Sequence, residues 1–193
     1  MEANYQLYKS GTKVFWGEVA PCDHFVQIYE DEEAFLDTLE GFVSGGLKSG
    51  DSVILIATDA HLQVLEQRLR NEGLDLETAQ SQDQYIALVA DKVLDWFMVN
   101  SWPDDDLFTK VISELLSRAQ KNDRKVRAFG EMVAILWARG ENAATVRLEY
   151  LWQNLCQREG FSLFCAYPKI GFTQNATESI SQICAAHSKV VAN

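Results

Sequence analysis

Short apolar runs alternate with longer amphipathic segments along most of the chain. Five apolar runs predict buried strands, at residues 24–29, 52–57, 85–89, 125–129 and 161–166. Apolar positions at helical spacing predict helices between and after them, at residues 30 to about 48, about 59–73, 92–100, about 104–118, 134–139, 143–159 and 173–188. Strands separated by helices favour a mainly parallel sheet covered on both faces. The predicted fold is therefore an α/β three-layer sandwich.

The junction between the first strand and its helix carries four consecutive carboxylates, Glu30, Asp31, Glu32 and Glu33. The order strand, helix, turn, strand over residues 24–57 resembles the start of the nucleotide-binding core of RecA-like and KaiC-like ATPases. Those ATPases need glycines and a lysine at this junction, because backbone N–H groups and the lysine hold the phosphates. Carboxylates there stabilise a helix start and repel a triphosphate. The sequence therefore predicts a degenerate P-loop scaffold, which has lost the phosphate-binding loop and does not bind a nucleotide.

Composition and charge narrow the class of partner. The 193 residues include 47% hydrophobic and 23% charged residues, as in a single globular domain. A net charge of −11 argues against direct binding of nucleic acid or of anionic membranes. No apolar run is long enough to span a bilayer, and residues 1–17 lack a secretory signal pattern. We therefore expect a cytoplasmic protein, whose four widely spaced cysteines are free thiols.

The carboxyl ends of the predicted strands mark the expected binding site. In open α/β sheets, ligands bind beyond these ends. Aromatic and thioether side chains would supply apolar walls there, and residues 96–98 would close the site from one side. The predicted ligand-binding residues are those at the strand ends and in the turns that follow: Tyr29, Glu30, Thr58, Asp59, Glu131, Met132 and Tyr167.

Several of these residues also have purely structural interpretations. Glu131 stands where an ATPase places its second acidic motif, so it is either a functional hydrogen-bond acceptor or residual metal ligand, or a carboxylate at a helix start. Glu30 and Asp31 are interpreted as helix caps, and His24, near the start of its strand, as a structural histidine. Cys22 and His24 alone do not make a metal site. No metal and no cofactor are predicted.

Five ordered segments carry a resemblance to a known family: HFVQIYED, GLKSGDSVILIATDAH, FMVNSWPD, VRAFGEMVAILWARG and FSLFCAYP. The set resembles the MEDS domain, the methanogen/methylotroph, DcmR sensory family, and covers about three quarters of the chain. The resemblance implies a KaiC/RecA-like fold that senses small molecules such as hydrocarbon derivatives. It divides the chain into an N-terminal extension, residues 1–21, and a single sensory domain, residues 22–193.

The same resemblance bears on partners, because MEDS domains are often fused to histidine kinases or DNA-binding domains. The present sequence leaves room for neither, so we expect the signal to pass to a separate histidine kinase or transcription regulator. Self-association is left open. The leading hypothesis is thus a sensory domain that binds a small organic ligand.

Two alternatives come from other classes of protein. One is a non-catalytic protein-interaction module derived from an ATPase scaffold. The other is an enzyme, either a metal-assisted hydrolase that uses Glu131 and Asp59 or a residual nucleotide hydrolase. Because the sequence lacks a Ser-His-Asp, HExxH or usable Cys-His pattern and the phosphate-binding lysine, we expect no enzymatic activity.

Overall fold

A seven-stranded sheet forms the centre of the protein. The computed structural model describes residues 6–8, 16, 19–171, 183 and 187–191. The strand order is β1-β9-β2-β8-β7-β3-β4, and each neighbouring pair is parallel. The strands of this sheet are β1 Gln6–Tyr8, β2 His24–Tyr29, β3 Ser52–Ala57, β4 Tyr85–Val89, β7 Val126–Gly130, β8 Ser162–Pro168 and β9 Lys189–Val191.

Seven helices and a small hairpin complete the secondary structure of the described residues. The hairpin pairs β5 Met98–Val99 with β6 Trp102–Pro103 in antiparallel orientation. Short 3₁₀ turns lie at Lys121–Asp123 and Lys169–Gly171. The helices are α1 Glu32–Lys48, α2 Asp59–Asn71, α3 Leu76–Ser81, α4 Ala90–Phe97, α5 Asp105–Ala119, α6 Met132–Ala138 and α7 Asn142–Glu159. None of these helices is long and apolar enough to cross a membrane.

The helices cover the sheet on both sides and bury two apolar clusters. On the first face, α1, α2 and α3 pack their buried leucine and phenylalanine side chains against alternate residues of the strands. On the second face, α4 to α7 pack against the other residues of the same strands. In β3, for example, Leu55 belongs to the first face and Ile54 and Ile56 to the second. The predicted mainly parallel three-layer α/β sandwich is confirmed.

The five predicted strands all form, with small shifts at the ends of two. The fourth, predicted at residues 125–129, is Val126–Gly130, and the fifth, predicted at 161–166, is Ser162–Pro168. The short strands β1 and β9 and the six-residue helix α3 were not predicted, because such short segments carry little periodicity. The helix predicted at residues 173–188 lies mostly outside the described residues.

The helix predicted at residues 92–100 was wrong at its end. Helix α4 stops at Phe97, and the chain forms the hairpin β5–β6 instead. Asn100 and Ser101 have φ angles of 51° and 59°, so both central residues of the turn are left-handed. Two consecutive left-handed residues are the mark of a type I′ hairpin turn and are incompatible with a continuing α-helix.

Trp16 packs into a groove along α1 on the first face. A Cβ atom added at Gly41 would lie 2.7 Å from Cδ1 of Trp16, and one added at Gly45 would lie 2.9 Å from its Cβ. The carbonyl oxygen of Trp16 accepts a hydrogen bond from the buried guanidinium of Arg127, whose Nε donates to Asp51 at 2.8 Å. Two glycines one helical turn apart therefore let a residue that precedes the first long strand reach the core.

Candidate functional site

The neighbouring strands β3 and β7 define the position of the site. Their chain connections leave toward opposite faces, since α2 after β3 covers the first face and α6 after β7 covers the second. Such a divergence between adjacent parallel strands is a topological switch point, where open α/β sheets bind their ligands. Two predicted site residues, Thr58 and Glu131, follow these two strands directly.

Glu131 bridges the two loops at this switch point. Its backbone N–H donates to the carbonyl of Ile56 at 2.8 Å, which extends the pairing of β7 with β3 by one residue. Its side chain is 9% exposed, and its carboxylate accepts a hydrogen bond from the backbone N–H of Thr58 at 2.8 Å. Thr58 in turn begins α2, since its hydroxyl accepts from the backbone N–H of His61 at 3.4 Å. The carboxylate is therefore fixed in place by the backbone.

His61, in the first turn of α2, extends the cluster toward the surface. Its Nδ1 lies 2.8 Å from the second carboxylate oxygen of Glu131, and its Nε2 lies 3.3 Å from Glu32. The hydrogen bond to Glu131 raises the pKa of His61 above its usual value, although partial burial acts in the opposite direction. The imidazole is 12% exposed, whereas the Glu32 side chain is 69% exposed. His61 thus connects a buried carboxylate to an accessible one.

Tyr29, at the end of β2, supplies an aromatic surface beside these charges. Its ring stacks on Phe35, with 4.5 Å between the ring centroids and an angle of 11° between the planes. Phe35 also contacts the His61 ring edge-on at 5.2 Å. Burial, reinforced by the negative charges of Glu131 and Glu32, raises the pKa of the Tyr29 phenol. The structure therefore brings Tyr29, Thr58 and Glu131 together with His61 and Glu32.

The remaining carboxylates of the first junction are engaged in local contacts. Asp31 is the N-cap of α1, and its carboxylate accepts from the backbone N–H of Glu33 at 2.9 Å. Glu33 pairs with Arg68 of α2, and Glu30 pairs with Lys169. The interpretation of Asp31 as a helix cap is confirmed, whereas Glu30 is an exposed ion-pair partner near the same edge.

Three other predicted site residues lie apart from this cluster. Asp59 is on the outer surface of α2, where it accepts from Gln63 at 2.6 Å. Met132 and Tyr167 are fully buried on the second face of the sheet, while Tyr29 and Phe35 belong to the first face. The sequence analysis placed them together because each follows a strand end. Side chains of successive residues point to opposite faces, so a shared sheet edge does not imply a shared site.

The residues proposed to close the site also separate in the structure. Trp96 is 49% exposed, and Phe97 is buried in the core of the second face. Met98 packs against that core at the start of the hairpin. The sequence reasoning missed His61 and Glu32 as members of the cluster. The sequence did contain a signal for both residues, because each lies in the first turn of a helix that follows a strand end.

Tyr167 belongs to a second polar cluster, which is buried on the second face. Its hydroxyl donates to one carboxylate oxygen of Glu149, and the other oxygen lies 3.4 Å from His187 and 3.8 Å from His24. Burial raises the pKa of Glu149 and lowers the pKa of His187 to about 4. Cys165 is the fifth polar side chain of this cluster, 3.5 Å from His24.

The fold and the switch-point cluster define a parallel α/β domain whose charged residues meet at the carboxyl ends of the strands. The chain belongs to the MEDS family, the methanogen/methylotroph, DcmR sensory domain, whose family model matches residues 23–188. The resemblance found in the sequence is thereby confirmed. Membership of this family indicates a sensory or regulatory role. A search of curated proteins found no match to the chain.

Proposed function

We propose that this protein is a non-catalytic sensory domain that binds a small organic ligand beside Glu131 and His61. The observation that carries this proposal is the contact of Glu131 with Thr58 and His61, because it joins two diverging loops at a switch point. A change in that contact acts on α2 and α6 at once, on opposite faces of the sheet. This is the coupling that a sensor needs.

The chemistry of the cluster defines the class of ligand. His61 contacts Glu131 through Nδ1 and the exposed Glu32 through Nε2, and in its protonated form, which the contact with Glu131 favours, the imidazole donates from both nitrogens. A ligand oxygen, such as an alcohol, carbonyl or carboxylate, replaces Glu32 as the acceptor. The accessible edge of Tyr29, whose ring stacks on the buried Phe35, contacts its hydrocarbon part. Release of Glu32 loosens the first turn of α1, and this change is passed to a histidine kinase or transcription regulator.

Ligand retention by matched variants tests the proposal. Protein purified from its own host is examined by native mass spectrometry, and a panel of small alcohols, ketones and carboxylic acids is screened by melting temperature. We expect Glu131→Gln and Tyr29→Ala to weaken ligand binding, with Glu131→Gln leaving the stability without added ligand nearly unchanged at a pH above the folded-state pKa of His61, where its ion pair with Glu131 no longer contributes. Glu33→Gln is the control. Glu33 lies in the same helical turn as Glu32, but it pairs with Arg68 and not with His61.

Two results would contradict the ligand site. In the first, no ligand is retained, no member of the panel raises the melting temperature, and both site variants lose stability. Glu131 and Tyr29 would then be structural residues. In the second, Glu33→Gln impairs binding as strongly as Glu131→Gln, which would place the ligand outside the His61 cluster.

A second candidate function, a protein-interaction module, is favoured by exposed apolar side chains around the hairpin. Trp96, Val99 and Trp102 are 49%, 46% and 46% exposed, and Val99 pairs with Trp102 across the hairpin. Exposed apolar groups of this size are typical of interaction surfaces. Light scattering at increasing protein concentration tests self-association. If the protein is an interaction module, Trp96→Gln and Trp102→Gln should abolish self-association without lowering the melting temperature.

A further inference from the structure

We propose that His24, Glu149, Cys165 and His187 bind a divalent transition-metal ion, with Zn²⁺ as the preferred ion. This cluster lies inside the second face of the sheet and shares no residue with the Glu131 site. All four side chains are buried. One ligand-type atom from each residue lies within 4.8 Å of the corresponding atoms of the other three.

The fold brings the four residues together from four separate segments. His24 is the first residue of β2, and Cys165 lies in the neighbouring strand β8. Glu149 projects from α7, and His187 lies two residues before β9. Because the four positions span residues 24 to 187, no local sequence motif reports them.

The distances between the ligand atoms suit a tetrahedral site. Oε2 of Glu149 lies 3.4 Å from Nε2 of His187 and 3.8 Å from Nε2 of His24. Sγ of Cys165 lies 3.5 Å from Nε2 of His24 and 3.8 Å from Oε2 of Glu149. Zinc bonds of about 2.0–2.3 Å at tetrahedral angles place ligand atoms about 3.3–3.8 Å apart. These four separations match a zinc site, and the two that join His187 to His24 and to Cys165 lie within 4.8 Å.

Hydrogen bonds orient both imidazoles toward the centre of the cluster. Nδ1 of His187 donates to the carbonyl of Ile183 at 2.6 Å, and Nδ1 of His24 lies 2.6 Å from Oε1 of Gln153. With the proton on Nδ1, each Nε2 carries a lone pair that faces Glu149 and Cys165. Metal-bound histidines are held in this way, with the second ring nitrogen donating to a carbonyl oxygen. Gln153 is thus a positioning residue for His24.

One nitrogen of the cluster, on His187, lacks a hydrogen bond among the described residues. Nε2 of His187 is buried and makes no hydrogen bond with any residue that the structure describes. It lies close to a buried carboxylate, and two lone pairs facing each other in a buried site are unfavourable. A divalent cation resolves this arrangement, since it accepts all the lone pairs and its charge balances the Glu149 carboxylate and a Cys165 thiolate.

The ligand set favours zinc and a structural role. Two imidazoles, one thiolate and one carboxylate form the mixed nitrogen, sulfur and oxygen set that zinc binds. Four protein ligands leave no open position, which is typical of structural rather than catalytic sites. The ion would fasten the segment before β9 to β2, β8 and α7. It would thereby stabilise the half of the sheet that contains β1, β9, β2 and β8.

Metal analysis of the full chain tests the site. The chain is produced without an affinity tag in medium containing manganese, iron, cobalt, nickel, copper and zinc, and its metals are measured by mass spectrometry. We expect about one zinc ion per chain. Cys165→Ser should lose most of this zinc. Cys156→Ser, which changes a buried cysteine whose thiol donates to the carbonyl of Phe161 instead, should retain it.

Cobalt substitution provides a spectroscopic readout of the thiolate. Protein loaded with Co²⁺ should show a sulfur-to-cobalt charge-transfer band and the intense visible bands of tetrahedral cobalt. The charge-transfer band should be absent from Cys165→Ser and present in Cys156→Ser. If Cys165→Ser fails to fold, Gln153→Ala is the variant that tests the site, because it keeps all four proposed metal ligands. It should weaken metal affinity about 10–100-fold in competition with a chromophoric chelator.

Three results would overturn the proposal. The first is a metal-free wild-type chain whose melting temperature does not rise when Zn²⁺ or Co²⁺ is added. The second is equal metal content in Cys165→Ser and Cys156→Ser, which would place the ion elsewhere. The third is unchanged metal affinity in Gln153→Ala. None of these results bears on the Glu131 site, because the two sites share no residue.

Discussion

At the residue scale, the contact of Glu131 with His61 is the feature most directly open to experiment. The carboxylate is held by the backbone of Thr58 and lies against the imidazole, so it favours the charged form of the histidine. The pKa of His61 is consequently raised in the folded state. A raised folded-state pKa stabilises the fold below the unfolded-state pKa of about 6.5, and this contribution is lost as the pH rises through the folded-state value.

The first prediction concerns this pH dependence. Between about pH 6.5 and the folded-state pKa of His61, the unfolding free energy of the wild type should fall as the pH rises, because the folded state binds more protons. Glu131→Gln should remove most of this fall, since the hydrogen bond from His61 to Glu131 is the largest cause of the raised pKa. Urea unfolding at a series of pH values measures the effect.

Glu32→Gln is the matched control for this prediction. Glu32 contacts the other nitrogen of the same imidazole, but it is exposed and its effect on the pKa of His61 is smaller. It should therefore remove only a minor part of the pH dependence. An equal effect of the two variants would contradict the assignment of Glu131 as the main partner.

At the element scale, two local features depend on backbone geometry rather than on hydrophobic pattern. Trp16 occupies the groove that Gly41 and Gly45 leave on α1. The hairpin β5–β6 turns through two left-handed residues, Asn100 and Ser101. At Gly41, contact with Trp16 opposes the helix propensity of a larger residue. At Ser101, the turn opposes the backbone preference of serine. Substitutions at these positions can therefore measure each effect.

The second prediction concerns the groove on α1. Alanine is favoured over glycine inside a helix by about 1 kcal/mol, but at Gly41 its Cβ would meet the Trp16 ring at 2.7 Å. Gly41→Ala should therefore destabilise the wild type by about 1–3 kcal/mol, as overpacked cores do. In a Trp16→Ala background the same change should stabilise by up to about 1 kcal/mol. A double-mutant cycle by chemical denaturation measures the coupling.

Equal effects of Gly41→Ala in the two backgrounds would show that Trp16 does not occupy the groove in solution. The cycle is informative even though Trp16→Ala itself destabilises the protein. The prediction concerns the difference between the two backgrounds and not the stability of either one.

The third prediction concerns the hairpin turn. Ser101 has a φ angle of 59°, a conformation that costs an L-residue about 1–2 kcal/mol and glycine very little. Ser101→Gly should raise the unfolding free energy by up to about 1 kcal/mol, since the added freedom of the unfolded chain offsets part of the gain. Asn100→Gly is the control and should gain less, because asparagine tolerates this conformation. Thermal unfolding that ranks Asn100→Gly above Ser101→Gly would contradict the prediction.

At the scale of the whole molecule, the two faces of one sheet carry two chemically distinct polar clusters. The cluster of the first face is partly exposed at the carboxyl ends of the strands, where Glu32 and His61 reach the surface. The cluster of the second face is buried among α7, β2, β8 and the segment before β9. The carboxylates of the β2–α1 junction surround the first cluster, and the chain as a whole carries a net charge of −11.

The fourth prediction concerns nucleotide binding. Titration calorimetry with Mg-ATP should detect no binding, and no phosphate release should be measurable. Residues 30–33 place a cap and three further carboxylates where an anion-binding loop would need backbone N–H groups and a lysine. Those carboxylates repel the triphosphate and already pair with Arg68, Lys169 and His61. Micromolar affinity for Mg-ATP would disprove the prediction.

The sequence by itself determined the fold class, the five long strands, the helix order and the family. The strands and helices follow from local periodicity, because parallel strands buried on both faces are nearly continuous apolar runs. The family follows from the order of the five matching segments. It also predicted that Tyr29, Thr58 and Glu131 lie together, because residues at strand ends share one edge of the sheet. Residues with long-range partners but no local pattern, such as His61, could not be assigned in this way.

Tertiary structure alone decided which residues share a cluster. Tyr167 and Tyr29 both lie near strand ends, yet the register Ile28 to Tyr167 and Tyr29 to Pro168 places the two rings on opposite faces. Likewise, His24 was interpreted as structural because it lies near the start of its strand, whereas the fold places Cys165 of the neighbouring strand 3.5 Å from its ring. Face alternation and strand pairing between distant segments set these contacts, and neither is encoded in residue spacing.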